Sequence, residues 1–237
     1  MKRRWSAIVF VITLIGCNGI QENKNHSIEK PQQEVIKEIT ATIDSLYQVD
    51  QSIQMEIMEA GQNGESERLE ALFNQELEIF ERHIPILKDI YNQIGYPGID
   101  LIGEEGSGQF FTLVQHADAD VAFQAAMLEE LTKELHKGNV NPKDYAFLTD
   151  RVSIAQNNYQ IYGTQVQYNT THAQAFPRAL KDSLEVNKRR KEIGLEPIEY
   201  YLNQLSTLHF QMNEARYLAI GITEPQLYDT LNVSVSQ

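Results

Sequence analysis

The stretch FNQELEIFERHIPILKDIYNQIG, residues 73–95, places Phe73, Leu77, Phe80, Ile84, Leu87, Tyr91 and Ile94 at alternating spacings of four and three and ends on Gly95. That spacing keeps every apolar side chain on one stripe of an α-helix, and the glycine is a stop. Pro85 has no amide hydrogen to give, so a kink is predicted near Glu81. Upstream, Ile39, Ile43, Leu46, Ile53 and Ile57 form a second stripe between Val35 and Ile57, interrupted at Asp50. Gly61-Gln62-Asn63-Gly64 is the turn between the two. Residues 32–95 therefore read as a long antiparallel helical hairpin.

Downstream, Tyr96 to Gly108 is glycine-rich and reads as a loop, followed by a short apolar helix from Gln109 to Gln115. Val121 to His136 is amphipathic and closed by Gly138; Asn141-Pro142 opens another helix to about Ala155, with proline in its first turn. Tyr159 to Tyr168 alternates aromatic, β-branched and glutamine residues, which predicts a strand, with Ala175-Phe176 returning beside it. Asp182 to Glu192 and Ile198 to Met212 read as helices. The fold class is mainly α, a hairpin packed on a helical domain (96–220) with a small β-hairpin, and residues 221–237 as an irregular tail.

The N-terminus reads as an address. Lys2, Arg3 and Arg4 precede an apolar run from Trp5 to Ile12, and Leu14-Ile15-Gly16 leads into Cys17, the chain's one cysteine. This is the three-part pattern of a lipoprotein signal peptide, residues 1–16, with Cys17 acylated after cleavage. The apolar run is too short for a membrane span, which needs roughly 20 residues. Two or three acyl chains, palmitate among them, would hold the protein stably on a membrane. Residues 17–31 read as the anchor and a flexible tether. Asn18 favours the outer over the inner membrane of the cell envelope.

Removing residues 1–16 takes away three positive charges and changes the formal charge from −13 to −16. An acidic chain is poorly suited to nucleic acid, whose phosphates call for clustered Lys and Arg. With Cys17 acylated, no thiol is left for disulfides, zinc thiolates or nucleophilic catalysis. His26, His83, His136, His172 and His209 are scattered and none has the spacing of a metal motif. No cofactor-binding or phosphate-binding motif is present, so neither metal nor cofactor is expected.

Polar residues in three segments can carry chemistry. In Gln115-His116-Ala117-Asp118, either His116 and Asp118 converge on a pocket, the histidine as a base oriented by the aspartate, or they cap adjoining helices. In the Leu148 helix, Arg151 lies about 60° from the Leu148 direction and needs a carboxylate or an anionic ligand, whereas Asp150 points to solvent or another element. Asp50 is a candidate partner for Arg151. On a strand, Gln160, Tyr162 and Thr164 would share one face and Gln165 the other, with Gly163 as a bulge or close approach. Lys188-Arg189-Arg190 is a solvated helix face or, failing that, an anion site.

In order along the chain, Tyr96-Pro97-Gly98, Gly103-Glu104, Gln115-His116-Ala117-Asp118, Phe123-Gln124, Leu148-Thr149-Asp150-Arg151-Val152 and Gln160-Ile161-Tyr162-Gly163-Thr164-Gln165 resemble a bacterial domain family of unknown function. The likeness continues through Asn187, Arg189-Arg190 and Ile193-Gly194-Leu195 to Tyr200 and covers roughly residues 49–201. It implies that the polar motifs form a shared constellation. Asp50-Gln51 is similar to the family's early Asp-Gln, but Gln54 stands where relatives often carry arginine. The leading expectation is a lipid-anchored envelope protein binding a small polar or anionic ligand. His116, Asp118 and Arg151 would be its reactive groups, with Asp50, Gln115, Asp150, Gln160, Tyr162, Gln165 and Arg189 around the ligand. Two alternatives stand beside it: a hydrolase with His116 as general base, and a protein-interaction lipoprotein using the hairpin.

Overall fold

The computed structural model describes residues 30–230. The signal peptide, Cys17 and nearly all of the tether lie outside the described residues, as does the end of the tail. The chain is mainly α, with eight helices and one two-stranded antiparallel sheet among the described residues. Helices α1 (Lys30–Gln62) and α2 (Ser66–Ile94) form the hairpin. Pro85 sits inside α2, which continues through it as one helix. Between the hairpin arms Ile53, Ile57, Ala60, Leu72 and Ile79 are buried. The other half of the hairpin joins a larger core, in which Ile39, Ile43, Leu87 and Ile90 meet Phe110, Leu113, Met127, Leu131 and Leu148.

Those last residues come from α3 (Ile99–Gln115), α4 (Val121–His136) and α5 (Pro142–Ala155). The glycine-rich stretch expected as a loop is thus largely helix. Its one departure is Gly103, whose φ of 77° breaks the helical path where a side chain would be strained. Helices α4 and α5 follow the sequence reading, and Asp120 and Asn141 accept backbone N–H bonds at their starts. Strands β1 (Val166–Asn169) and β2 (Gln174–Pro177) pair with Gln167 opposite Phe176. They pack with α6 (Val186–Glu192) and α7 (Ile198–Met212) around Ala175, Val186, Ile198 and Leu202.

The strand expected from Tyr159 begins only at Val166. Residues 161–164 instead form a loop tied by side chains, between a backbone bridge of Gln160 with Leu180 and a backbone bond from Arg178 to Gln165. Helix α8 (Glu214–Ala219) is an addition to the sequence reading; it buries Tyr217 against Phe210. The irregular tail beyond it is nevertheless fastened, since Tyr228 donates its N–H to Asn203 and its hydroxyl to the carbonyl of Ala175.

Candidate functional site

Asp50 lies on the face of α1 that turns toward α3, and its side chain is fully buried. A carboxylate there needs partners, because an isolated buried charge is very costly. It has two: Oδ1 accepts from Gln51 at 2.8 Å, and Oδ2 lies 2.6 Å from Nδ1 of His116. The expected Asp50–Arg151 pair is therefore replaced by Asp50–His116. A carboxylate only accepts, so Nδ1 carries the proton and Nε2 is left as the basic nitrogen. Nε2 has no hydrogen-bond partner among the described residues. His116 also ends α3, where its backbone N–H reaches Thr112, so the capping role and the side-chain role coexist. Phe80 of α2 stacks on the imidazole with centroids 4.7 Å apart, holding the ring plane.

Arg151 finds its carboxylate in Asp118. Nε donates to Oδ1 at 2.7 Å and Nη2 to Oδ2 at 2.5 Å, a two-pronged bond across the α3–α4 turn. Gln124, buried on α4, donates to the same Oδ1 and to the carbonyls of Val114 and Gln115, fixing the turn. Burial acts upward on the Asp118 carboxyl, but the Arg151 and Gln124 bonds outweigh it and hold its pKa below the usual range. The expectation that Asp118 orients His116 is corrected: Asp50 orients the histidine, and Asp118 orients the arginine.

These groups face one cleft of about 270 Å³, lined by Gln54, Glu76, Leu77, Phe80, Glu81, His116, Asp118, Ala119 and Arg151. It lies where the hairpin meets the α3–α4 turn and α5. Gln54 donates to Glu76 at 2.5 Å, which spends one oxygen of that carboxylate and leaves the other. Glu81 has no hydrogen-bond or ion-pair partner among the described residues. His83, one turn beyond Phe80 on α2, is buried, and its pKa is lowered chiefly by that burial.

The other predicted site residues lie elsewhere. Asp150, next to Arg151 but about 100° around α5, turns to another element and not to solvent. Its buried carboxylate accepts the N–H groups of Ile161, Tyr162 and Thr164 and the Thr164 hydroxyl. The matching carbonyls are taken as well. Arg189 donates to Ile161, Arg190 to Tyr162, and the Tyr201 hydroxyl to Thr164. Gln160 is buried, its amide giving to the carbonyls of Gln165 and Arg178 and accepting from the Gln165 N–H.

Residues 161–164 thus have side chains of α5, α6 and α7 in place of a strand ladder, while at the ends Gln160 bridges to Leu180 and the Gln165 carbonyl accepts from the Arg178 N–H. Gly163, at φ 73°, makes this possible, since a Cβ there would overlap Ile198. Of the solvated face expected for 188–190, Lys188 is exposed, but Arg190 is only 1% exposed, bonded to Glu196 and Tyr162 carbonyls and lying over the Tyr201 ring.

Tyr162 and Arg189 do reach a second cavity, about 640 Å³, which they line with Tyr145, Glu192 and Gly194. Gln115, Gln160 and Gln165 line neither cavity. The structure therefore brings together His116, Asp118, Arg151 and Asp50, and separates the rest. Gln54, Glu76, Phe80 and Glu81 were missed, because on helices they have the pattern of an ordinary polar face with an occasional aromatic. The one signal was Gln54, marked as a departure from the resembled family.

No group of three or more His, Cys, Asp or Glu suited to a metal ion occurs among the described residues. No helix among them is long and apolar enough to cross a membrane. Fold and cleft define a mainly helical protein with an Asp–His pair at a hairpin–domain junction. A family model described as a family of unknown function (DUF6624) matches residues 35–211, and the chain belongs to that family. No curated protein and no solved structure matches.

Proposed function

We propose that this is a lipid-anchored protein of the cell envelope, outer membrane favoured, whose cleft binds a small polar molecule and hydrolyses it with His116 as general base. The anchor rests on the charged start, the apolar run and Cys17. The observation that carries the chemistry is the 2.6 Å bond between His116 Nδ1 and buried Asp50, which leaves Nε2 basic on a ring that lines the cleft. Such a base contributes about 10²–10⁴-fold to a rate. Asp50 fixes the tautomer and stabilises the imidazolium once formed. Arg151 has Nη1 unspent by Asp118, available for an oxygen on which negative charge develops.

With an ester or amide, water oxygen bonds to the acyl carbon while its proton passes to Nε2. The bond to the leaving oxygen or nitrogen then breaks, and that atom takes the proton back from His116. The carboxylates around the cleft weigh against the anionic half of the original expectation.

Esters, amides, phosphate esters and glycosides offered to the full chain in detergent test this reading, with His116→Ala in parallel. Hydrolysis of at least one class, falling about a hundredfold or more in the variant, is expected. Equal rates in both proteins reject it.

A further inference from the structure

The charges around the cleft do not cancel, and the remainder says what kind of molecule fits. Arg151 is the one permanent cation among the lining residues, and Asp118 already neutralises it through two hydrogen bonds. The carboxylates of Glu76 and Glu81 remain, both on the α2 wall, with fully buried Asp50 behind His116. Their acceptor capacity is largely unspent, since Glu76 gives one oxygen to Gln54 and Glu81 none. Between them Leu77 and Phe80 offer an apolar strip. The same cleft is lined by His116, whose Nε2 has no partner among the described residues, and by Arg151, whose Nη1 is unspent. The α2 carboxylates can thus accept hydrogen bonds from a cation, while Arg151 and His116 can receive an acyl oxygen and a proton.

We propose that the cleft selects small acyl compounds bearing a primary ammonium group, seated at the carboxylate of Glu76 or of Glu81 with the acyl oxygen on Arg151. This rests on the hydrolytic reading above and adds the substrate class to it. The volume agrees with a small molecule: about 270 Å³ matches roughly nine waters at about 30 Å³ each. Hydrogen bonds to charged groups contribute about 1.5–3 kcal/mol when shielded. At a cleft open to water the expected preference is near the lower end, about tenfold.

The experiment compares alanine methyl ester with N-acetylalanine methyl ester, which keeps the ester and loses the charge. Both are offered to the full chain in detergent and to a Glu76→Gln/Glu81→Gln double variant. The proposal expects kcat/KM about tenfold higher for the ammonium ester, with the ratio falling toward one in the double variant and in high salt. Equal or better use of the acetylated ester overturns it, as does a ratio unmoved in the double variant. A second readout needs no turnover. Titration of alaninamide and N-acetylalaninamide into His116→Ala, followed by NMR, should show tighter binding of the charged amide, again lost with both glutamates. If neither ester is cleaved, the hydrolytic reading falls and this titration alone decides the substrate class. Equal binding, or none, overturns it.

Discussion

Asp150 and Arg151 are neighbours on α5, yet they serve two regions built on opposite rules. Asp150 enters a closed knot, where Ile161, Tyr162 and Thr164 give their N–H groups to its carboxylate and their carbonyls accept from Arg189, Arg190 and Tyr201. Arg151 enters the cleft, where Nη1, His116 Nε2 and Glu81 have no protein partner among the described residues. Satisfied polar groups rigidify a fold, whereas unsatisfied ones facing a cavity are free to meet something else. The contrast separates polar residues spent on the fold from polar residues left open to a cavity, however strongly a motif stands out. Tyr162 and Gln160, in the most conspicuous motif of the chain, belong mainly to the knot.

The largest effect should come from breaking the knot. Asp150→Ala leaves three backbone donors and a hydroxyl unpaired in the interior, at about 1–3 kcal/mol each. A loss of at least about 3 kcal/mol in urea unfolding is expected; a loss below about 1 kcal/mol would dissolve the distinction between the regions. Asp50→Asn in the cleft should act the other way round. It keeps a polar partner for His116 but weakens the base, so kcat/KM on a cleaved ester should fall about 10²-fold or more. Its stability loss, measured in the same urea series, should be less than half that of Asp150→Ala.

Arg151→Lys sharpens the comparison within the cleft. Lysine keeps the charge but cannot reproduce the two-pronged bond to Asp118. The ion pair is partly open, with the Asp118 side chain 59% exposed, so stability should change by under about 1 kcal/mol. The rate should drop about tenfold, as expected for one misplaced donor of modest strength.

A pH dependence is expected outside both regions. Burial pushes the carboxyl of Asp144, in the first turn of α5, up to about 7. The folded protein then holds this proton more tightly than the unfolded chain, whose aspartates titrate near about 3.9. The resulting stabilisation is present in acid and is lost as pH rises from about 4 to about 7. Asp144→Asn should therefore match the parent in Tm near pH 4 and exceed it near pH 8, and a constant difference across that window would refute the assignment.

Much of the fold could be read from apolar spacing. The hairpin, α4, α5 and α7 all carry stripes of period 3.6, and the caps Asp120 and Asn141 mark their starts. The first part of α3, up to Gly108, was hidden because Gly103, Gly106 and Gly108 resemble a loop, although the larger core overrides their weak helix preference. Residues 160–165 alternate like a strand, but from Ile161 to Thr164 the partners are side chains distant in sequence, which no local pattern reveals. In the site, Asp50 was visible as a break in an apolar stripe and Arg151 as a charge beside one. Their pairing was not, because both can reach more than one partner and only packing of α1 against α3 brings Asp50 to His116. Glu76 and Glu81 look like any solvated helical carboxylates until the cleft is seen.

The central claim is that Asp50 holds His116 as a base with Nε2 free on the cleft. Nitrogen-15 NMR of the imidazole tests it most directly, with His116 assigned by comparison with His116→Ala. The account predicts that neutral His116 carries its proton on Nδ1, and that the Nε2 resonance moves on protonation and on addition of alaninamide. A neutral ring with its proton on Nε2, or an Nε2 resonance indifferent to both, would contradict it.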